Sequence, residues 1–220
     1  NKIMALNKLK FNSINVTPAA SEAIRFNSSA NGLETASAGG SLVKIASTTA
    51  SSSSSISFTS GIDSTYREYL FVFNNLHASA NQRLTWQGST DGGSNYNTAC
   101  TSSAFGASHN ESGSFTQLAY STGYDVAQST SFIPLATETF AIESDDSYSG
   151  FLHFFEPSNT TFVKHFMLQA SQVNTSGAAR YVTREMIAGY FNTTSAINAV
   201  QFKMASGNID AGTITMYGVL

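Results

Sequence analysis

The sequence predicts an all-β protein, an antiparallel, jelly-roll-like β-sandwich with an extended N-terminal arm. Three observations carry that reading. From Leu42 onward apolar residues alternate with polar ones at period two, and no segment there sustains a helical period. Turn-forming residues punctuate the alternation at short intervals, as at Asp91–Gly92–Gly93, Pro157–Ser158, Asn192–Thr193 and Gly207–Asn208. The chain holds 16 Phe and 9 Tyr, residue types that suit a pleated, half-buried surface.

Residues 1–40 sustain neither a strand nor a helical period and read as the arm; residues 41–220 read as the sandwich. Within the arm, "TPAASEAI" has the makings of one helical turn, with Thr17 as N-cap, Pro18 at the first helical position and Glu22 nearby. Its apolar residues Leu6, Leu9, Phe11, Ile14, Val16, Ile24 and Phe26 are too few for an independent core and too many for a fully solvated tail. They are the candidate residues for attachment and oligomerisation; the alternative is a disordered tail.

"SLVKIAS" reads as the first strand of the sandwich, and "SISFTS" as the second, with Ile56 and Phe58 on one face. The five serines between them belong to a hairpin rim rather than a linker, because flexible linkers favour glycine and none occurs between Ser41 and Ser60. "REYLFVFNNLH" is the clearest strand: Tyr69, Phe71 and Phe73 face one way and Leu70 and Val72 the other, which predicts a strand buried on both faces. "RLTWQGS" alternates Leu84 and Trp86. "SGFLHFFE" and "TFVKHFMLQ" form a hairpin about "PSNT". "RYVTREMIAGYF", "INAVQFKMAS" and "GTITMYGV" read as a closing meander. Phe71, Phe73, Trp86, Phe154, Phe166, Tyr190 and Phe202 are the expected core or subunit-interface residues.

Composition narrows function. Charged residues make up 11% of the chain, against about a quarter in ordinary soluble domains, so Ser, Thr and Asn must supply its polar surface. The net charge of −3 leaves no basic footprint for nucleic acid. Cys100 is the single cysteine, so no intrachain disulfide forms, and its "NTACTSS" setting reads as core. No apolar run approaches the ~20 residues of a membrane-spanning helix. "NKIMALNKLK" lacks the apolar stretch of a signal peptide, and Met4 reads as the natural initiator.

"STDGGSNY" fits the Asp-box pattern Ser-x-Asp-x-Gly-x-x-aromatic, with Ser89, Asp91, Gly93 and Tyr96 in place. Sialidase propellers repeat this pattern once per blade; its single occurrence here predicts a structural hairpin, with Asp91 accepting backbone N–H bonds and the glycines at positive φ. "DDSYSGFLHFFE" overlays a calcium loop only in part, since Ser147 and Ser149 occupy carboxylate positions. Glu138, Glu143, Asp145 and Asp146 form the densest acidic patch. His153 and His165 would face each other across a three-residue "PSNT" loop; a two-residue loop would set His165 against Leu152. Two imidazoles without further ligands make an incomplete metal site, and no cofactor is expected. G-x-S-x-G, H-E-x-x-H and P-loop motifs are missing, and nothing pairs Glu111 with Asp125, so the chain does not read as an enzyme. Residues 106–136 are the least regular stretch. There Tyr120, Tyr124 and Phe132 sit among polar residues and, with Tyr96, form a candidate ligand surface; the alternative is a loop packed on its own sandwich.

"SSISFTSGIDSTYREYLFVFNNLH", "GYFNTTSAINAVQFKMASGNIDAGTITMYGV" and the opening "LNKLKFNSINVTPAASEAIRFNSSANGLET" resemble segments of structural proteins of marine tailed bacteriophages, of the fibre and decoration type. The resemblance implies a virion component exposed on the particle surface: a head-decoration, head-fibre or tail-fibre subunit attached through its N-terminal segment. It implies a homo-oligomer, with a trimer as the first expectation, and other virion proteins of capsid or tail as partners. The alternative is a receptor-binding module that recognises host surface glycan through the 106–136 loops.

Overall fold

A computed structural model describes residues 22–26, 29, 31–37, 41–176 and 179–220. The chain falls into two compact units, Asn1–Ser41 and Leu42–Leu220. The first holds an antiparallel hairpin of β1 (Glu22–Phe26) and β2 (Leu33–Ser37), with Phe26 opposite Leu33 and Ile24 opposite Thr35. Directly opposed residues share a face. Ile24, Phe26 and Leu33 therefore form one apolar face, while Arg25 and Glu34 pair on the other at 3.0 Å. The apolar face is exposed, Phe26 at 72%. Glu22–Ile24 are strand, which overturns that part of the expected helical turn; Thr17 and Pro18 lie outside the described residues, as do Leu6, Leu9, Phe11, Ile14 and Val16.

The second unit is the expected antiparallel sandwich. Its strands are β3 (Leu42–Thr49), β4 (Ile56–Phe58), β5 (Glu68–Ala78), β6 (Leu84–Ser89), β7 (Cys100–Asn110), β8 (Thr116–Tyr120), β9 (Ile133–Pro134), β10 (Tyr148–Phe155), β11 (Lys164–Ser176), β12 (Ala179–Phe191), β13 (Ala199–Met204) and β14 (Ile209–Val219). They build an eight-stranded sheet, β3-β14-β5-β10-β11-β12-β7-β8, and a four-stranded sheet, β4-β13-β6-β9. Aromatic side chains from the two sheets meet between them. Trp86 of β6 packs on Phe154, Phe166 and Phe191, with ring centroids 5.4, 4.9 and 5.1 Å away. Phe202 of β13 meets Phe71 and Phe73 of β5, both at 5.4 Å.

Several expectations change once strands are assigned to sheets. The serine run joins one core, as expected, but forms no hairpin: β3 pairs with β14, and β4 pairs with β13 in the other sheet. Residues 50–53 continue along the start of β14, with Ser53 and Ile209 exchanging bonds of 2.8 and 2.9 Å, and the chain then crosses over. The closing meander is likewise divided, because β13 leaves the eight-stranded sheet between β12 and β14. Period-two alternation reports which face of a strand is buried; it carries no information on which sheet the strand joins.

β5 is central, but only the Tyr69, Phe71 and Phe73 face is fully buried; Leu70 and Val72 are half-buried on the outer side of the sheet. Of the expected core residues, Phe71, Phe73, Trp86, Phe154, Phe166 and Phe202 are buried. Tyr190 is not: β12 turns Phe191 inward, and Tyr190 lies on the outer face. Within 106–136, expected to be irregular, the end of β7, all of β8 and β9 are sheet. Cys100 is buried as expected, and burial pushes its thiol up to about 12.

Candidate functional site

The Asp-box segment folds as a self-contained turn after β6. Ser89 Oγ donates to Asp91 Oδ1 at 2.6 Å and accepts from the Gly93 N–H at 2.9 Å. Asp91 also accepts from the Asn95 N–H at 2.9 Å and from Asn95 Nδ2 at 2.7 Å. Gly92 and Gly93 take φ of 74° and 91°, and the Tyr96 hydroxyl lies where a Gly93 side chain would be. The local chemistry follows the expectation, but the turn carries the chain from the four-stranded to the eight-stranded sheet and is not a hairpin. The Ser89 and Asn95 bonds hold the Asp91 carboxyl down at about 2, below its ordinary 3.8. A depressed carboxyl stabilises the fold above its unfolded value and loses that contribution as pH falls through the folded one. Asp91→Ala should therefore lower the thermal midpoint at pH 7. The gap to wild type should narrow as pH falls from 4 toward 2; a gap that stays constant would show that the charge is not what Asp91 supplies.

The four expected ligand-surface residues do not converge. Tyr96 and Phe132 are neighbours at 6.4 Å, and Lys203 Nζ lies 3.9 Å over the Phe132 ring. Tyr124 instead packs on the core beneath Arg83, whose guanidinium is 3.6 Å from the ring centre. Tyr120 stands on β8 with its hydroxyl donating to Asp125 Oδ2 at 2.7 Å. Two of the four, Tyr120 and Tyr124, are thus drawn into separate contacts, leaving Tyr96 and Phe132 as one small ring pair.

The histidine pair fails for a different reason. The connection between β10 and β11 spans residues 156–163, longer than either loop considered, so His153 lies opposite Met167 and His165 opposite Tyr190. His153 instead pairs with Glu68 across β5. The calcium-loop overlay is overturned because Gly150, its required bend, lies inside β10. In the acidic patch, Asp146 is buried and engaged by Arg180 of β12 and by the Glu143 N–H at 2.9 Å.

What the sequence reading missed lies on the outer face of the eight-stranded sheet. There the small residues Thr101, Ser103 and Ala188 form a floor, and Phe155, His165, Met167 and Tyr190 rise beside it, bounding an open groove of about 520 Å³. Apart from the His165 imidazole its lining is aromatic, aliphatic and hydroxyl-bearing, with no carboxylate, lysine or arginine among its lining residues. The signal was present in "FLHFF" and "KHFML", where large side chains occupy both strand faces. A strand that buries only one face leaves the second set on display.

A second missed feature lies inside the sandwich. Glu185 of β12 is fully buried; its Oε2 accepts from the Thr137 N–H at 2.8 Å and its Oε1 from Gln172 Nε2 at 2.8 Å. Opposite it on β7 is Gly106, where a Cβ would stand 2.6 Å from Thr137 Oγ1, so the bare glycine lets the 137 segment close on the carboxylate. Burial pushes the Glu185 carboxyl up to about 7. Among known proteins, no family model, curated protein or solved structure matches the chain.

Proposed function

We propose that the chain is a non-enzymatic structural subunit of a tailed-bacteriophage particle. It is a homo-oligomeric head-decoration, head-fibre or tail-fibre protein whose sandwich is displayed and whose first forty residues attach it. The observation that carries this reading is the β1–β2 hairpin. Isolated two-stranded hairpins are marginal in water, and this one exposes an apolar face of Ile24, Phe26 and Leu33. Such a face gains order by packing on a neighbour, which offsets the ~1–2 kcal/mol per residue of backbone entropy lost on ordering. Repetition around a symmetry axis supplies that neighbour, and a trimer is the arrangement the bacteriophage resemblance favours. The low charge of the chain suits a subunit packed among copies of itself.

The test uses the full chain with Phe26→Asp, alongside deletion of residues 4–40. Both proteins should keep the β-type circular dichroism of wild type, and both should fail to join virions in an assembly assay. Incorporation at wild-type occupancy would place attachment in the sandwich and overturn the assignment.

A further inference from the structure

The two sheets of the sandwich have four edges, and three of them are guarded. β4 is three residues long, and β9 is two residues long and includes Pro134. β3 carries Lys44 and a break in register opposite Met216–Tyr217. Short strands, proline, lysine and bulges are the devices that keep an edge from recruiting another strand. β8 has none of them. Its sequence, Thr-Gln-Leu-Ala-Tyr, is uncharged, and its register with β7 is unbroken from Thr116 to Tyr120.

The backbone of β8 is set out for pairing. The Asn110 N–H donates to the Phe115 carbonyl at 3.2 Å, and the Ser121 N–H donates to the Ala104 carbonyl at 2.8 Å. Antiparallel bonding alternates along a strand. Phe115, Gln117, Ala119 and Ser121 therefore bond to β7, while Thr116, Leu118 and Tyr120 aim their N–H and C=O groups away from the sheet. These outward groups have no partner among the described residues. The side chains of the same three residues lie on the outer face, with Leu118 74% and Tyr120 54% exposed.

We propose that β8 is a homodimerisation edge, at which two copies pair β8 with β8 antiparallel about a two-fold axis through Leu118 and join their eight-stranded sheets into one. The outward groups fall symmetrically about Leu118, so a reversed copy sets donors opposite acceptors along the whole strand. Thr116 meets the partner's Tyr120, and Leu118 meets the partner's Leu118, closing N–H···O=C bonds and covering the exposed apolar side chains. A neutral strand meets its own copy without like-charge repulsion, whereas β3 would bring Lys44 and a shifted register. The pairing stands independently of any attachment through residues 1–40; if those residues build a trimer, the β8 contact joins two such trimers.

The experiment uses the full chain. Leu118→Lys should halve the mass of the wild-type species in sedimentation equilibrium without altering circular dichroism, since the side chain is exposed. Leu118→Cys should give a covalent dimer under mild oxidation, because directly opposed, hydrogen-bonded residues place Cα atoms ~5.5 Å apart, within disulfide range. Gln117→Cys, which would face the partner's Ala119, is the collision control; pairing raises the local thiol concentration at position 118, so crosslinking there should be at least ~10-fold faster. Buried Cys100 stays silent. A monomeric wild type, an unchanged mass for Leu118→Lys, or equal crosslinking at 117 and 118 would each overturn the proposal. If Leu118→Lys fails to fold, the cysteine pair decides alone.

Discussion

Trp86→Ala should lower stability by about 3–5 kcal/mol, the loss expected when a large aromatic is removed from a core that cannot close over the gap. Trp86 is fully buried at the centre of the sandwich, and its ring touches those of Phe154, Phe166 and Phe191 from the eight-stranded sheet. A fourth ring, Phe202 of the neighbouring β13, stacks on it at 6.0 Å and 15°. These rings belong to five strands of both sheets, so no single side chain can move into the space. In a chain of this size the loss converts to a fall of roughly 6–20 °C in thermal midpoint.

Trp86→Phe separates packing from hydrogen bonding. The indole Nε1 is buried without a partner among the described residues. Phenylalanine keeps much of the ring contact and removes that unpaired donor, so it should cost clearly less than alanine. Chemical denaturation of both variants provides the check. A midpoint for Trp86→Ala equal to wild type would mean that the two sheets do not meet at Trp86.

The alternation that marks Trp86 as core was legible because it is local. Ile56 and Phe58, or Tyr69, Phe71 and Phe73, announce a buried face within a few residues. Assignment to a sheet was not legible, because β4 and β13 lie far apart in sequence and pair only once the chain has crossed the sandwich. Tyr190, expected in the core or at a subunit interface, is not in the core: "GYF" offers two adjacent rings, and only the register with β11 selects Phe191. At the candidate sites, the Asp91 turn was legible because its partners lie within six residues. The divergence of Tyr124 from the Tyr96–Phe132 pair was not, since it depends on Arg83 and Lys203 arriving from distant strands. Glu185 was hidden for a related reason. In "RYVTREMIAGYF" it alternates with Arg184 and Met186, and a lone carboxylate in a strand reads as solvent-facing until tertiary structure closes over it.

That burial should make wild-type stability fall as pH rises between about 5 and 7. Burial disfavours the charged form and pushes the Glu185 carboxyl from its ordinary 4.5 up to about 7, although the Thr137 N–H bond acts in the opposite sense. Below 4.5 the folded and unfolded chains both carry the proton, and no penalty arises. Between 4.5 and about 7 the unfolded chain gives the proton up while the folded chain keeps it, so the unfolded state gains by about 1.4 kcal/mol per pH unit. Above 7 both are ionised, and the accumulated penalty, about 3 kcal/mol, stays constant. Among the described residues the neighbours supply no countercharge: Tyr148 holds its proton more tightly because of burial and the Glu185 charge, and Glu138 adds further repulsion. Gln172 Oε1 is buried and unpartnered among the described residues; a turned Gln172 amide would let it accept from a protonated Glu185 while giving up the Nε2 bond to the Glu138 carbonyl, 3.1 Å long. Glu185→Gln imitates that neutral form. Denaturation at pH 5 and pH 8 should show wild type losing about 3 kcal/mol between them while Glu185→Gln stays flat and is the more stable protein at pH 8. A variant that follows wild type at both pH values would assign the slope to another group and leave Glu185 ionised throughout.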